Sequence, residues 1–231
     1  MSSDRVIQLK RLFREHANPE HAAPMEQYMK NNFLFLGIKS PERKMLTKTF
    51  LKETKLDTAQ RVPADELQTI WDLPEREFQY TVIEILARLH KVYLPEDLAF
   101  FERLIVSKSW WDSVDSLAPH VVGSYFLRFP AQIERASEWS THSNMWLRRS
   151  AILFQLKYKE KTDEERLFRY IKENAEDKEF FIRKAIGWAL REYSKTESDR
   201  VERFIFDESL SNLSKKEGLK HIERQRKRNE A

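Results

Sequence analysis

The chain has 231 residues, 41% hydrophobic and 34% charged, with no cysteine and four glycines. The missing thiols exclude disulfides, thiolate nucleophiles and cysteine-ligated zinc. So few glycines argue against dinucleotide-binding folds, phosphate-binding loops and hairpin-rich β architectures. The net charge of +4 is unevenly placed: from Lys215 to Arg228 seven Lys/Arg stand against two Glu, leaving 34 basic against 35 acidic residues elsewhere.

The opening Met1-Ser2-Ser3-Asp4 carries no apolar segment of the signal-peptide kind. No run of about 18 apolar residues offers a membrane span. A cytoplasmic protein is expected. Ser40-Pro41-Glu42 reads as an N-cap, a proline at the first helical position and an acid in the first turn. Pro74-Glu75, Pro95-Glu96 and Pro130-Ala131 repeat that signal. Apolar residues recur at three- and four-residue spacing in Ile83/Leu86/Leu89 and Ile152/Leu153/Leu156. Prolines stand between these runs, and no alternating strand pattern competes. The six histidines, His16, His21, His90, His120, His142 and His221, form no ligand pair at helical spacing, so neither a metal nor a cofactor is expected. The basic C-terminal segment, from about residue 214, reads as a helix and tail suited to a polyanion, or as a solvated helix end.

The helices repeat. Glu42-Arg43-Lys44, Glu75-Arg76-Glu77-Phe78, Leu147-Arg148-Arg149-Ser150 and Ile182-Arg183-Lys184-Ala185 each open an apolar helix with basic residues. Arg43 to Arg76 is 33 residues, Arg76 to Arg148 is 72, and Arg148 to Arg183 is 35; a further 33 reaches Lys216. This period signals an all-α solenoid superhelix of about six HEAT-like helical pairs, taken as a single domain over residues 1–231. If one helix of each pair lines a common concave surface, Arg43, Arg76, Arg148, Arg149, Arg183, Lys184, Lys215 and Lys216 form a basic track for a polyanion. Basic first turns oppose the helix dipole by a few tenths of a kcal/mol, which a facing polyanion offsets.

The third unit departs from the track. Where its neighbours carry Arg or Lys, it has Ser109-Trp110-Trp111-Asp112-Ser113-Val114-Asp115. Trp111 and Asp115, four apart, share a helix face, and such a pair suits a flat cation. Asp115 has a competing structural role, as partner to a repeat-face arginine in an ordinary buried ion pair. Trp110, Trp71, Trp139 and Trp146 read as packing residues.

Trp71-Asp72-Leu73-Pro74-Glu75-Arg76-Glu77-Phe78 and the Trp-Trp-Asp segment resemble the AlkD family of DNA glycosylases. So do Trp146-Leu147-Arg148-Arg149 with Ile152-Leu153-Phe154-Gln155, and Phe180-Phe181-Ile182 through Gly187-Trp188-Ala189-Leu190-Arg191-Glu192. The resemblance runs from about residue 24 to residue 222. It implies a HEAT-like superhelix that cups duplex DNA and excises cationic alkylpurines, chiefly 3-methyladenine and 7-methylguanine, leaving an abasic site. By the same resemblance Asp115 matches the catalytic carboxylate, Trp111 and Trp188 the active-site tryptophans, Arg149 the active-site arginine and Tyr28 a cleft tyrosine. The Arg148-Arg149 doublet leaves open which arginine points inward. Arg149 is expected to bind a flanking phosphate, with Arg148, Arg183, Lys184 and Arg191 as candidates for the rest of the backbone track, contacts that fix position without reading sequence. A monomer on double-stranded DNA is expected, associated with the nucleoid through that binding. The rival class is a non-catalytic helical scaffold binding nucleic acid or an acidic protein surface.

Overall fold

The structure, a computed structural model, describes residues 4–229. Its α-helices are α1 (Asp4–Glu15), α2 (Pro19–Tyr28), α3 (Ser40–Thr54), α4 (Ala64–Trp71), α5 (Arg76–Arg88), α6 (Asp97–Val106) and α7 (Trp111–Leu117). They continue with α8 (Gly123–Arg128), α9 (Glu134–Ser140), α10 (Met145–Leu153), α11 (Glu164–Glu173), α12 (Phe180–Tyr193), α13 (Ser198–Asp207) and α14 (Asn212–Asn229). Among the described residues the β structure is confined to an isolated bridge, Leu34 to Glu75.

The repeat is visible in the helix starts. α3, α5, α7, α10, α12 and α14 begin at Ser40, Arg76, Trp111, Met145, Phe180 and Asn212, in steps of 32 to 36 residues. All four proline-signalled boundaries move; α5 and α6 start at Arg76 and Asp97, two residues past Pro74 and Pro95. Ser40 is already the first helical residue and makes no capping bond; Lys39 holds the N-cap position. Pro130 opens only a 3₁₀ turn, and α9 starts at Glu134.

The chain divides into two compact units, one ending at Phe100 and the other starting at Phe101. In the first, α3 packs beside α5 and α1 beside α4, with α1 laid on α3 and α4 on α5. α1 contributes Val6, Leu9 and Phe13, three and four residues apart and fully or nearly fully buried. Phe13 stacks on Phe78 of α5, centroids 5.3 Å apart. The loop before α3 is pinned by the buried Glu77, whose carboxylate accepts from the backbone N–H groups of Leu36, Gly37 and Ile38 at 2.9–3.1 Å. Gly37 sits at φ +82°, and a Cβ there would lie 2.0 Å from the Asn18 carbonyl oxygen, so only glycine fits.

In the second unit α10 packs against both α7 and α12, α12 packs along α14, and α9 and α11 meet in a second layer. Its core joins Ile152 and Leu153 of α10, Leu167 and Ile171 of α11, Ile182, Ala185, Ile186 and Leu190 of α12, and Val201 and Ile205 of α13. Trp71 and Trp139 are buried to within 1% of completely, and Trp146 to 8%. α12 and α14 approach closely at Gly187, where a Cβ would stand 2.4 Å from the Glu217 Cβ. No described helix is long and apolar enough to cross a membrane.

Candidate active site

α7 is a short helix, and the reason lies at Pro119. Proline has no N–H to donate to the carbonyl four residues back, which here belongs to Asp115. The backbone answers with a π-helical turn over Ala118–Val122 before α8 resumes the α pattern. The turn that carries Asp115 is therefore a local break in an otherwise regular layer.

Asp115 faces α10. The Arg149 guanidinium donates from Nε to one carboxylate oxygen at 2.7 Å and from Nη2 to the other at 2.8 Å. Its Nη1 donates to the Phe181 carbonyl at the start of α12. Three helices are thus tied through one side chain. The pair is asymmetric: the Arg149 side chain keeps 5% exposure and the Asp115 side chain 17%. Its negative end is the more open one. Burial pushes the Asp115 carboxyl above the ordinary carboxylate range; Arg149 opposes that shift, and nearby Asp112 adds to it.

A cleft of about 260 Å³ opens beside this carboxylate. Its wall consists of Trp111 and Asp115 from α7, Arg149 from α10, Phe180, Phe181, Lys184, Trp188 and Arg191 from α12, and Glu217 from α14. Both indoles are half-buried, which leaves aromatic surface for a ligand. Trp110, next in sequence, is turned the other way: it packs on Trp146 at 5.9 Å and Phe181 at 5.2 Å between centroids.

The structure brings Trp111, Asp115, Arg149, Lys184, Trp188 and Arg191 to one place. It resolves the arginine doublet, since Arg149 holds Asp115 while Arg148 bonds Asp177 and the carbonyls of His142 and Ser143. Arg183 also reaches Asp177, at its backbone carbonyl. Both arginines brace the loop before α12 rather than line the cleft. Lys215 and Lys216 stand off its wall, half-buried and exposed respectively. Tyr28, on α2 in the first unit, is 68% exposed.

Two members of the expected basic track are corrected. Arg76 is fully buried, its guanidinium carbon 3.7 Å from the Phe33 ring centroid. Arg43 is 8% exposed, pairs with Glu84 at 3.4 Å and lies over the Tyr80 ring. These first-turn cations fold their charge into aromatic and acidic neighbours of their own unit, so they offer nothing to a polyanion.

Three cleft residues were absent from the sequence-level site. Phe180, 56% exposed, and Phe181 open α12. Their signal was an aromatic pair ahead of a basic first turn. Glu217 had no signal; it is a second carboxylate in the wall, held by Lys184 and Arg191 at 3.1 Å each and by Lys220. Lys220 above all, with Lys184, holds its carboxyl below the ordinary range against the opposing effect of burial.

The family model described as DNA alkylation repair enzyme matches residues 9–222. Among solved structures, the chain is similar to a predicted DNA alkylation repair enzyme from Enterococcus faecalis, with 36% identity over 89% of this chain and 96% of that one, TM-score 0.82. It is also similar to AlkD2 from Streptococcus mutans (19% identity, 85% and 98% of the two chains, TM-score 0.59). A third likeness is to smu.31 from Streptococcus mutans UA159 (18% identity, 87% and 97%, TM-score 0.58). At these lower identities the likeness speaks for the fold alone. Comparison with curated proteins returns no match.

Proposed function

The chain belongs to the DNA alkylation repair enzyme family, and from that membership we propose that it is a monofunctional DNA glycosylase. Its reaction is hydrolysis of the N-glycosidic bond of cationic N3- and N7-alkylated purines in duplex DNA, leaving an abasic site. The observation that carries this reading is Asp115: a partly open carboxylate in a cleft whose wall also carries two half-buried indoles, Trp111 and Trp188.

Alkylation at N3 or N7 makes the purine positive, so it leaves without protonation and no general acid is needed. As the bond breaks, positive charge develops on the deoxyribose. Asp115 stabilises that charge more than the ground state, which is the condition for catalysis. Both its oxygens already accept from Arg149, yet a carboxylate has about four acceptor positions. The remaining ones are free to face the sugar and to orient the water that attacks C1′. Arg149 fixes the carboxylate plane and favours its ionised form. Trp111 and Trp188 contribute aromatic and cation–π attraction, about 1–2 kcal/mol each when desolvated, and favour a charged lesion over a neutral base. Lys184 and Arg191 at the cleft edge supply phosphate contacts that position the strand without reading sequence.

The test is release of free 7-methylguanine from alkylated duplex DNA by wild type and Asp115→Asn. Wild type is expected to release the base, and the variant to lose nearly all turnover while still binding DNA. A pure polyanion binder would instead tolerate the substitution or bind more tightly, because a negative charge leaves the cleft. Absence of release by wild type would end the glycosylase reading.

A further inference from the structure

α12 ends at Tyr193, but α14 runs on beside it to Asn229. Where α12 stops, the two leave a notch of about 160 Å³ lined by Arg191, Lys195, Lys220, His221 and Arg224. We propose that this notch is a receptor for one phosphate of the DNA backbone, adjacent to the Asp115 cleft; the inference rests on the DNA-binding reading above.

Every side chain lining the notch is basic. The acids around it do not balance them: Glu217 holds Arg191 and Lys220, Glu192 holds Lys195 at 2.7 Å, and no described carboxylate lies within ion-pair distance of Arg224. Helix dipoles explain only part of this. Arg191 lies in the last turn of α12 and Lys195 just beyond it, so both sit at the negative end of that helix's dipole. Lys220, His221 and Arg224 sit in the middle of α14, whose own last-turn cations are Arg226, Lys227 and Arg228. Lys220 and Arg224 are four residues apart on one helix face, an arrangement that like-charge repulsion disfavours by a few tenths of a kcal/mol. An anion in the notch relieves that repulsion.

One further observation points to a backbone phosphate rather than a free anion. Arg191 lines both the notch and the cleft, so a strand presenting its damaged nucleotide to Asp115 passes the notch within the same run of backbone.

The experiment measures affinity for an undamaged duplex against salt concentration, by fluorescence anisotropy, for wild type and Lys195→Gln/Arg224→Gln. A control, Lys172→Gln/Arg203→Gln, removes the same charge from exposed positions on α11 and α13. For one phosphate, the slope of log K against log salt should shrink by about 0.9 in the notch variant and stay unchanged in the control. Equal slopes for wild type and notch variant, or equal losses in notch variant and control, overturn the proposal. A loss confined to duplexes bearing a 5′-phosphate overturns the internal-backbone assignment in favour of a strand-end phosphate. Release of 7-methylguanine, followed in parallel, separates the two readings. Slope loss without base release keeps the notch and sinks the glycosylase; base release with an unchanged slope does the reverse.

Discussion

Asp115 combines two demands that usually conflict. A carboxylate acts most strongly on a developing cation where solvent is sparse, because Coulomb interactions grow as the local dielectric falls. The same sparse solvent disfavours its ionised form, and burial raises its pKa. The Arg149 fork offsets this without covering the outward face of the carboxylate, since Arg149 is the deeper partner. The consequence is visible in pH. For a lesion that is already cationic, no group needs to be protonated, so excision should show a single acidic limb. Activity is present above the raised pKa of Asp115 and falls as pH drops through it, in a range higher than an ordinary carboxylate. A rate of 7-methylguanine release that stays flat down to the ordinary aspartate range would contradict this. Trp111 and Asp115 were legible at this scale because four-residue spacing on a helix needs no tertiary information. Arg149 was not legible as the partner of Asp115, since 34 residues separate them.

At the scale of elements, the site is an arrangement of α7, α10, α12 and α14 within the second unit. The break at Pro119 shortens α7, and Arg149 ties α7 to α10 and to the start of α12. α14 closes the remaining side. Its approach is permitted by Gly187, and its place is held by Glu217 and by the bond from the Ser214 hydroxyl to the Arg183 carbonyl, 3.0 Å. A methyl at residue 187 would meet the Glu217 Cβ at 2.4 Å and the Ser214 carbonyl oxygen at 2.9 Å. Gly187→Ala should therefore push α14 outward and destabilise the chain by about 1–3 kcal/mol, as overpacking does. Calorimetry should record a melting temperature lower by ~2–4 °C for each kcal/mol. An unchanged melting temperature would show that the two helices have room to spare. The repeat register located these helices, but the basic first turns were misread. Arg43 and Arg76 stand in register with the Arg148-Arg149 doublet, and Arg43, Arg76 and Arg149 are all buried. Their equivalence is one of packing against neighbours, not of exposure to a ligand.

Across the whole molecule, charge is segregated along the chain rather than abundant. The whole surplus of +4 lies from Lys215 onward, where seven Lys/Arg stand against three Glu. α14 carries it, with a buried side and an exposed end: Ile222 is 3% exposed, while Arg224, Arg226, Lys227 and Arg228 are all open to solvent. Truncation after Glu223 keeps Ile222 in the core and removes those four cations. Such a chain should fold normally and bind duplex DNA more weakly at low salt, with the difference closing as salt screens the charges. Identical affinities at low salt would mark the extension as a solvated helix end and nothing more. The match to the DNA alkylation repair family runs over residues 9–222, and these four cations lie past its end.

The all-α class, the helical repeat near 35 residues and the joint presence of Trp111 and Asp115 on one face followed from the sequence alone. Each depends on spacing along a helix, and helix geometry is local. Tertiary structure alone decided which of the repeated arginines became Asp115's partner, that Arg43 and Arg76 turned inward, and that Glu217 joined the cleft wall. Those outcomes depend on which side of each helix its neighbours cover. That choice is set by packing between residues some 30 to 40 positions apart, as with Arg149 and Asp115 or Glu77 and Gly37. Periodicity along one helix carries no record of it.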